Sequence, residues 1–237
     1  MIDGPTTLLS GITGSRAYGM ARPDSDTDRH AIFAAPTVEF HGLHLPIGKK
    51  ATICRHEPDV TLHEAGKAVA LLLNGNPTMG ELLWLPPECY ETRTPWGDAL
   101  IDKRSAFLCA PRVRDAYLGF ARQQFDRLDK AGRFPDVPVS RIAKHARHLL
   151  RLVDQGTRLW VTGELQVRVS DPQTYFDFGE RVLTKPEAAQ GVLARAELTF
   201  AQTATVLPAE PDIAAVENWL LDVRADFYDH ELGITYR

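Results

Sequence analysis

The most chemically specific residues of the chain fall close together. Gly14-Ser15 ends an apolar, β-branched run, and after ten intervening residues Asp26-Thr27-Asp28 opens another. Strand alternation would place both carboxylates on one face, about 7 Å apart along the chain, where they could serve the same ions. Carboxylate oxygens suit hard divalent ions such as Mg2+, which need only two or three protein ligands when shared with a substrate triphosphate. Gly14 permits close backbone approach, and exposed N–H groups with the Ser15 hydroxyl can hold phosphate oxygens. In-line phosphoryl or nucleotidyl transfer calls for a third carboxylate, to bind a second ion and help deprotonate the attacking hydroxyl. Asp59, at the start of the extended segment Asp59-Val60-Thr61-Leu62, is the preferred choice, with Glu57 and Glu64 as alternatives.

A second polar group lies on a long helical segment, Ser140 to Val161. At about 100° per residue, Ile142, Ala143, Ala146, Leu149, Leu150 and Val153 gather on one side. Arg141, Lys144, His145, His148 and Arg151 fall on the other, with Leu152 intruding. Facing a metal cleft, this basic stripe would bind a triphosphate or an RNA backbone, Lys144 and Arg151 supplying charge and His148 a hydrogen bond. Facing water it does nothing specific. Zinc is disfavoured at His145 and His148, because no third or fourth ligand accompanies them. Trp84, Trp96, Trp160 and Trp219, with Phe176 and Phe178, read as core or seam residues, and Tyr18 is the aromatic beside the phosphate loop.

The elements that must position these residues follow from the pattern around them. Thr7 to Thr13 and Thr27 to Ala34 read as strands bracketing the Gly/Ser-rich connection, and Ala51 to Cys54 and Asp59 to Leu62 as further strand pieces around Pro58. His63 to Asn74 reads as a helix stopped by Gly75-Asn76-Pro77, and Thr78 to Leu85 as a short helix ended by Pro86-Pro87. From Ser105 onward the pattern is helical: Arg112 to Ala131, Ser140 to Val161, Glu187 to Ala204 and Ile213 to Asp229, with Gly132 and a Pro135/Pro138 linker between the first two. A boundary at Glu91 to Ile101 would separate an α/β domain, residues 1–95, from a helical domain, residues 101–237.

Composition narrows the class. A chain of 237 residues, 44% hydrophobic and 24% charged, can bury one large core or two small ones and is too apolar for disorder. The longest aliphatic run, Ala68 to Leu73, is far short of the roughly 20 residues of a membrane span. The N-terminus has no signal-peptide pattern, and Cys54, Cys89 and Cys109 offer neither an even count nor a CxxC pair, so a cytoplasmic location is expected. The net charge of -4 hides a segregation: residues 1–100 carry 8 Lys/Arg against 12 Asp/Glu, residues 101–168 carry 14 against 7, and residues 169–237 carry 5 against 12. The basic middle is where a phosphate-bearing partner would be held.

In combination the motifs resemble the nucleotidyltransferases of the DNA polymerase beta superfamily, whose signature is a hydrophobic-Gly-Ser run, a short gap and Asp-x-Asp. The closer similarity is to the RNA-repair-associated RlaP type. It is carried by Gly14-Ser15-Arg16-Ala17-Tyr18-Gly19, by Pro23-Asp24-Ser25-Asp26-Thr27-Asp28, by Gly75-Asn76-Pro77 with Glu81-Leu82-Leu83-Trp84, and by Lys144-His145-Ala146-Arg147-His148-Leu149-Leu150-Arg151-Leu152. It spans about Leu8 to Glu180. Two departures stand out: Thr27 replaces the usual aliphatic residue between the aspartates, and Arg29-His30-Ala31 replaces a small, apolar run.

The resemblance implies an α/β (α+β) fold, a polymerase-beta-like sheet with flanking helices followed by an α-helical C-terminal domain, with the active site between them. It implies Asp26 and Asp28 as metal ligands, with two Mg2+ ions or Mn2+ in their place; Asp59 stays the preferred third ligand from the residues themselves, with Glu57 and Glu64 open. Gly14, Ser15 and Arg16 would form the nucleotide-phosphate loop, with Lys144, His148 and Arg151 also on the nucleotide, and Asn76 and Glu81 become candidates by resemblance alone. The implied reaction moves NMP from an NTP, including ATP, to a hydroxyl, with an RNA 3′ end as acceptor and pyrophosphate as product. Transfer to a protein or small molecule, and a non-catalytic nucleotide- or RNA-binding module, stay open as alternatives.

Overall fold

The computed structural model describes residues 6–132 and 138–231, so Pro135 of the anticipated linker lies outside the described residues. Five strands, β1 (Thr6–Ile12), β2 (Arg29–Ala34), β3 (Thr52–His56), β4 (Asp59–Glu64) and β5 (Tyr90–Arg93), form one mixed sheet in the order β3-β4-β2-β1-β5. The helices are α1 (Gly14–Ala17), α2 (Ala65–Leu73), α3 (Pro77–Leu82), α4 (Pro95–Asp102), α5 (Ala110–Gly132), α6 (Val139–Thr162), α7 (Pro172–Thr184), α8 (Glu187–Gln202) and α9 (Ile213–Glu231). The fold is therefore the mixed α+β sheet with flanking helices and a helical C-terminal region that the resemblance implies. Among the described residues, no helix is long and apolar enough to cross a membrane.

The chain divides into two compact units. One comprises Met1–Leu73, Thr78–Phe107 and Pro211–Arg237; the other comprises Asn74–Pro77 and Leu108–Glu210. In the sheet unit, Ala31, Ile32, Phe33 and Ala34 of β2 are all buried, as are Leu8 and Leu9 of β1. Near-continuous apolar runs of this kind mark central strands covered on both faces. β1 runs antiparallel to β2 (Ile12↔Arg29), β2 parallel to β4 (Arg29↔Val60 to Phe33↔Glu64), and β3 antiparallel to β4 (His56↔Asp59). One face of the sheet carries Ala31, Phe33 and Leu62 with Ile53 and Val60, which pack together with Phe40.

Glu64 follows Leu62 on that apolar face and is only 2% exposed. Its Oε1 pairs with Arg224 of α9, and its Oε2 accepts the Gly66 N–H at 2.8 Å. The Arg224 guanidinium lies 4.0 Å over the Phe40 ring, and the Arg224 carbonyl accepts the Thr37 hydroxyl at 2.7 Å. Two indoles add to the attachment: Trp219 donates to the Trp96 carbonyl at 3.1 Å, and Trp96 to Asp226 at 2.8 Å. So α9 packs with the sheet, although the sequence reading assigns it to the helical half. Periodicity reveals a helix but not the distant carboxylate its arginine will meet.

The segment read as a boundary, Glu91 to Ile101, instead holds most of β5 and α4. β5 is a four-residue edge strand on β1 (Leu9↔Arg93, Ser10↔Thr92), too short to show a period. Thr94 caps α4 by accepting the Gly97 N–H at 3.2 Å, with Pro95 in the first turn. In the helical unit α6 is central, packing against α5, α7 and α8. α7 was not anticipated; the Asp171 carboxylate caps it by accepting the Gln173 N–H at 3.0 Å.

Removing the Glu64 carboxylate strands a guanidinium in an apolar setting. Glu64→Ala should therefore lower stability by about 3 kcal/mol or more, whereas Glu64→Met combined with Arg224→Met should recover most of the loss. Thermal and urea unfolding of the three proteins checks this; a single variant as stable as the double would show that the pair does not hold α9.

Candidate functional site

The site is built where β1 ends. The Thr13 N–H donates to the Asp28 carbonyl at 2.9 Å, carrying the β1–β2 ladder one step past Ile12↔Arg29. Gly14 then takes φ +66, a left-handed conformation that side chains with a Cβ resist, and opens the single turn of α1. A Cβ placed on Gly14 would overlap Asp28 Oδ2, so the Asp28 carboxylate lies directly over the backbone of the Gly14-Ser15 turn. The Met20 N–H donates to the Ser15 carbonyl at 2.9 Å and closes the segment.

A tight turn follows, with the Arg22 N–H donating to Ser25 Oγ at 2.8 Å and the Ser25 N–H to the Arg22 carbonyl at 3.0 Å. Arg16 donates from Nη2 to the Ser25 carbonyl at 2.9 Å and so braces the loop before Asp26. Because the turn uses this stretch, β2 begins only at Arg29, and Asp26 and Asp28 precede the strand instead of opening it. Strand alternation therefore does not relate the two: Asp26 is exposed in the loop and Asp28 is half-buried at the ladder's end. On the far side of β2, Arg29 donates to both Glu91 carboxylate oxygens, at 2.8 and 3.0 Å.

The parallel register Arg29↔Val60 sets Asp59 level with Asp28 and on the same face. Of the other two carboxylates considered, Glu64 points to the opposite, apolar face and is taken by Arg224, and Glu57 sits exposed in the turn between β3 and β4. Further along the shared face come His30 on β2 and His63 on β4. Burial holds the His30 imidazole below its ordinary value, against the upward pull of Glu81, Asp28 and Asp59, and its Nδ1 is buried without a hydrogen-bond partner. His63 is lowered by burial and then by His30 and Lys67, and its Nδ1 lies 3.0 Å from the Thr52 hydroxyl. Glu81 of α3, 1% exposed, accepts the Tyr18 hydroxyl at 2.8 Å.

His30 and His63 escaped the sequence reading. Their signal was the period of two in Asp28-x-His30 and Asp59-x-Thr61-x-His63, which has meaning only once the two strands are known to pair. Among the described residues, no three His, Cys, Asp or Glu side chains are gathered so as to hold a metal ion as they stand. The donors beside the Gly14 turn are nevertheless carboxylates left exposed or half-buried, and the space a Cβ would fill is used by Asp28. In kind they fit a hard divalent ion, not a soft one.

In the helical unit the anticipated basic stripe is only partly exposed. Arg141 and Lys144 are on the surface, but Arg151 is 5% exposed and donates from Nη1 to Gln155 Oε1 at 2.6 Å. Burial, then Arg151, His145, Arg127 and Lys144, pull His148 down to about 3, so it is uncharged at neutral pH. His145 lies 3.0 Å from Gln124 Oε1. The two-sided phase diagram fails because α6 has neighbours on three sides, which bury Leu152 and Arg151 together.

A family model described as RlaP, the RNA repair pathway DNA polymerase beta family, matches residues 4–175. No curated protein matches the chain.

Gly48 provides a control for the Gly14 geometry, since it too is left-handed (φ +61) but a Cβ there would meet nothing within 4 Å. Gly48→Ala should cost about 1 kcal/mol of stability from the backbone alone. Gly14→Ala should cost distinctly more, and Asp28→Ala in that background should bring the loss back toward the Gly48 value. Equal losses at the two glycines would disprove the packing of Asp28 on the turn. A second measurement concerns His148: its folded value lies below its unfolded one, so its contribution is present above pH 6.5 and lost as pH falls from there toward 3. His148→Gln should flatten the decline of stability between pH 6 and 4, read by urea unfolding at each pH.

Proposed function

The chain belongs to the RlaP RNA repair pathway DNA polymerase beta family, and from that premise we propose that it transfers NMP from an NTP to the hydroxyl of an RNA 3′ end, releasing pyrophosphate. Membership makes it a polymerase-beta-like nucleotidyltransferase; the metal, the nucleotide and the acceptor are our reading. The observation that carries it is the register that sets Asp59 level with Asp28 beside the left-handed Gly14 turn.

Asp26, Asp28 and Asp59 are the residues that would hold Mg2+, or Mn2+ in its place. Such an ion, when bound, neutralises phosphate charge and acidifies a hydroxyl or water. The protein's own groups divide the remaining work. The Gly14 and Ser15 backbone N–H groups and the Ser15 hydroxyl receive phosphate oxygens, which a side chain at Gly14 would obstruct. Arg16 steadies the loop that presents Asp26 through its bond to Ser25. The Asp59 carboxylate accepts the proton of the acceptor hydroxyl as its oxygen bonds to the α-phosphorus and pyrophosphate departs. On α6, exposed Lys144 has charge to offer a phosphate, His148 offers at most a neutral hydrogen bond, and Arg151 is engaged with Gln155.

Incubation with labelled NTPs and Mg2+, offering RNA, protein and small-molecule acceptors separately, tests the assignment. Label should pass to RNA, and Asp26→Asn and Asp28→Asn should each cut transfer by at least about a hundredfold while the melting temperature holds. Asp59→Asn should lower kcat more than nucleotide affinity. Wild-type transfer in a pure Asp28→Asn protein would remove the catalytic reading, and label on protein or a small molecule alone would replace the acceptor.

A further inference from the structure

We propose that the acceptor strand is held along β3 and the turn leading into it, through phosphate contacts from Lys49, Lys50 and Arg55. The choice of a nucleic acid rests on the nucleotidyl-transfer reading above; the existence of an anion-binding edge does not. β3 is an edge strand of the sheet, bonded among the described residues to β4 alone. The 3₁₀ turn Gly48–Ala51, which contains both lysines, runs directly into it. Residues 40–56 include no Asp or Glu, and Lys49, Lys50, Arg55 and His56 are all exposed.

The side chains of Lys49, Lys50 and Arg55 make no ion pair or hydrogen bond among the described residues. Other arginines of the unit are engaged within it: Arg16 with the Ser25 carbonyl, Arg29 with Glu91, and Arg93 with Asp98. Three cations left to water on one edge therefore have their charge available to a partner. Their arrangement suits a polyanion better than a compact triphosphate. β3 from Thr52 to His56 is four strand steps, about 13 Å, with both lysines in the turn before it, a line of charge and not a cluster.

The line also ends in the right place. His56 pairs with Asp59, Cys54 with Thr61 and Thr52 with His63, so these β3 residues continue the face that carries Asp59 and Asp28. Arg55, paired with Val60, lies on the other face, and a strand held by all three cations must follow the open edge of β3. A strand laid along this edge would bring its end toward the carboxylates. By contrast, α6 keeps only Arg141 and Lys144 exposed in the segment from Arg141 to Arg151 that looked basic throughout.

Binding of fluorescein-labelled 12-nucleotide single-stranded RNAs of two unrelated sequences, measured on the full chain over a KCl series without NTP, tests the inference. Replacing Lys49, Lys50 and Arg55 together by Gln should flatten the logarithmic salt slope by about 2, three contacts at about 0.7 each. It should weaken both RNAs alike, because phosphate contacts position without reading bases. NTP affinity without RNA should stay at the wild-type value, and the melting temperature should hold. An unchanged slope in the triple variant would overturn the inference, as would finding the loss in Arg141→Gln with Lys144→Gln instead. A poly-glutamate peptide that competes as well as RNA would overturn nucleic acid as the occupant. If the slope flattens as stated while wild-type protein transfers no label to RNA, the binding edge stands and the transfer reading falls.

Discussion

Parallel pairing of β2 with β4 brings Asp28 and Asp59 to neighbouring positions at one end of the sheet. Nothing in the intervening chain would place them there otherwise, since parallel neighbours need a crossover and here it runs out through two 3₁₀ turns and back along β3. The pairing is locked by what lies on the other face. Ala31, Phe33, Val60 and Leu62 fill the apolar side, and a slip of one residue would turn Leu62 toward the site and Asp59 into the core. The register of the carboxylates is thus set by hydrophobic side chains that have no part in the chemistry.

Burial sorts the acidic residues of this unit into two kinds. Glu64 and Glu81 are almost wholly enclosed, and each is answered by the protein itself: Glu64 by Arg224 and the Gly66 N–H, Glu81 by the Tyr18 hydroxyl. A carboxylate withdrawn from water without such partners would be strongly destabilising. Asp26, Asp28 and Asp59 keep contact with solvent, which leaves their oxygens available to a ligand. Tyr18 is also the residue that leaves α1, so the buried Glu81 ties the end of the Gly14-Ser15 turn to α3.

The charge segregation along the sequence has a partly intramolecular resolution. Arg122 on the basic α5 pairs with Glu197 on the acidic α8 at 2.7 Å, and those two helices pack together within the same unit. Some of the positive charge of residues 101–168 is answered in this way by the last third of the chain. Arg151 is drawn inside α6's packing, where its bond to Gln155 and that residue's bond to the Gln166 carbonyl form a short polar chain. Net charge per segment therefore overstates what the helical unit shows to a partner.

The sequence by itself determined the elements whose causes are local. Gly14 marks a left-handed turn because only glycine enters that region cheaply, the apolar runs mark β1 and β2, Gly75 with Pro77 stops α2, and the long helices announce themselves by period. The ordered motifs around Gly14-Ser15 and Asp26-Thr27-Asp28 also sufficed for the family. Tertiary structure alone decided that Asp59 and not Glu64 shares the face of Asp28, that His30 and His63 stand beside them, that α9 is fastened to the sheet by Arg224, and that Arg151 is buried. Each of these depends on strand register or on a third packing neighbour. Both are settled by residues far apart in the chain competing for one core, and no local spacing encodes the outcome.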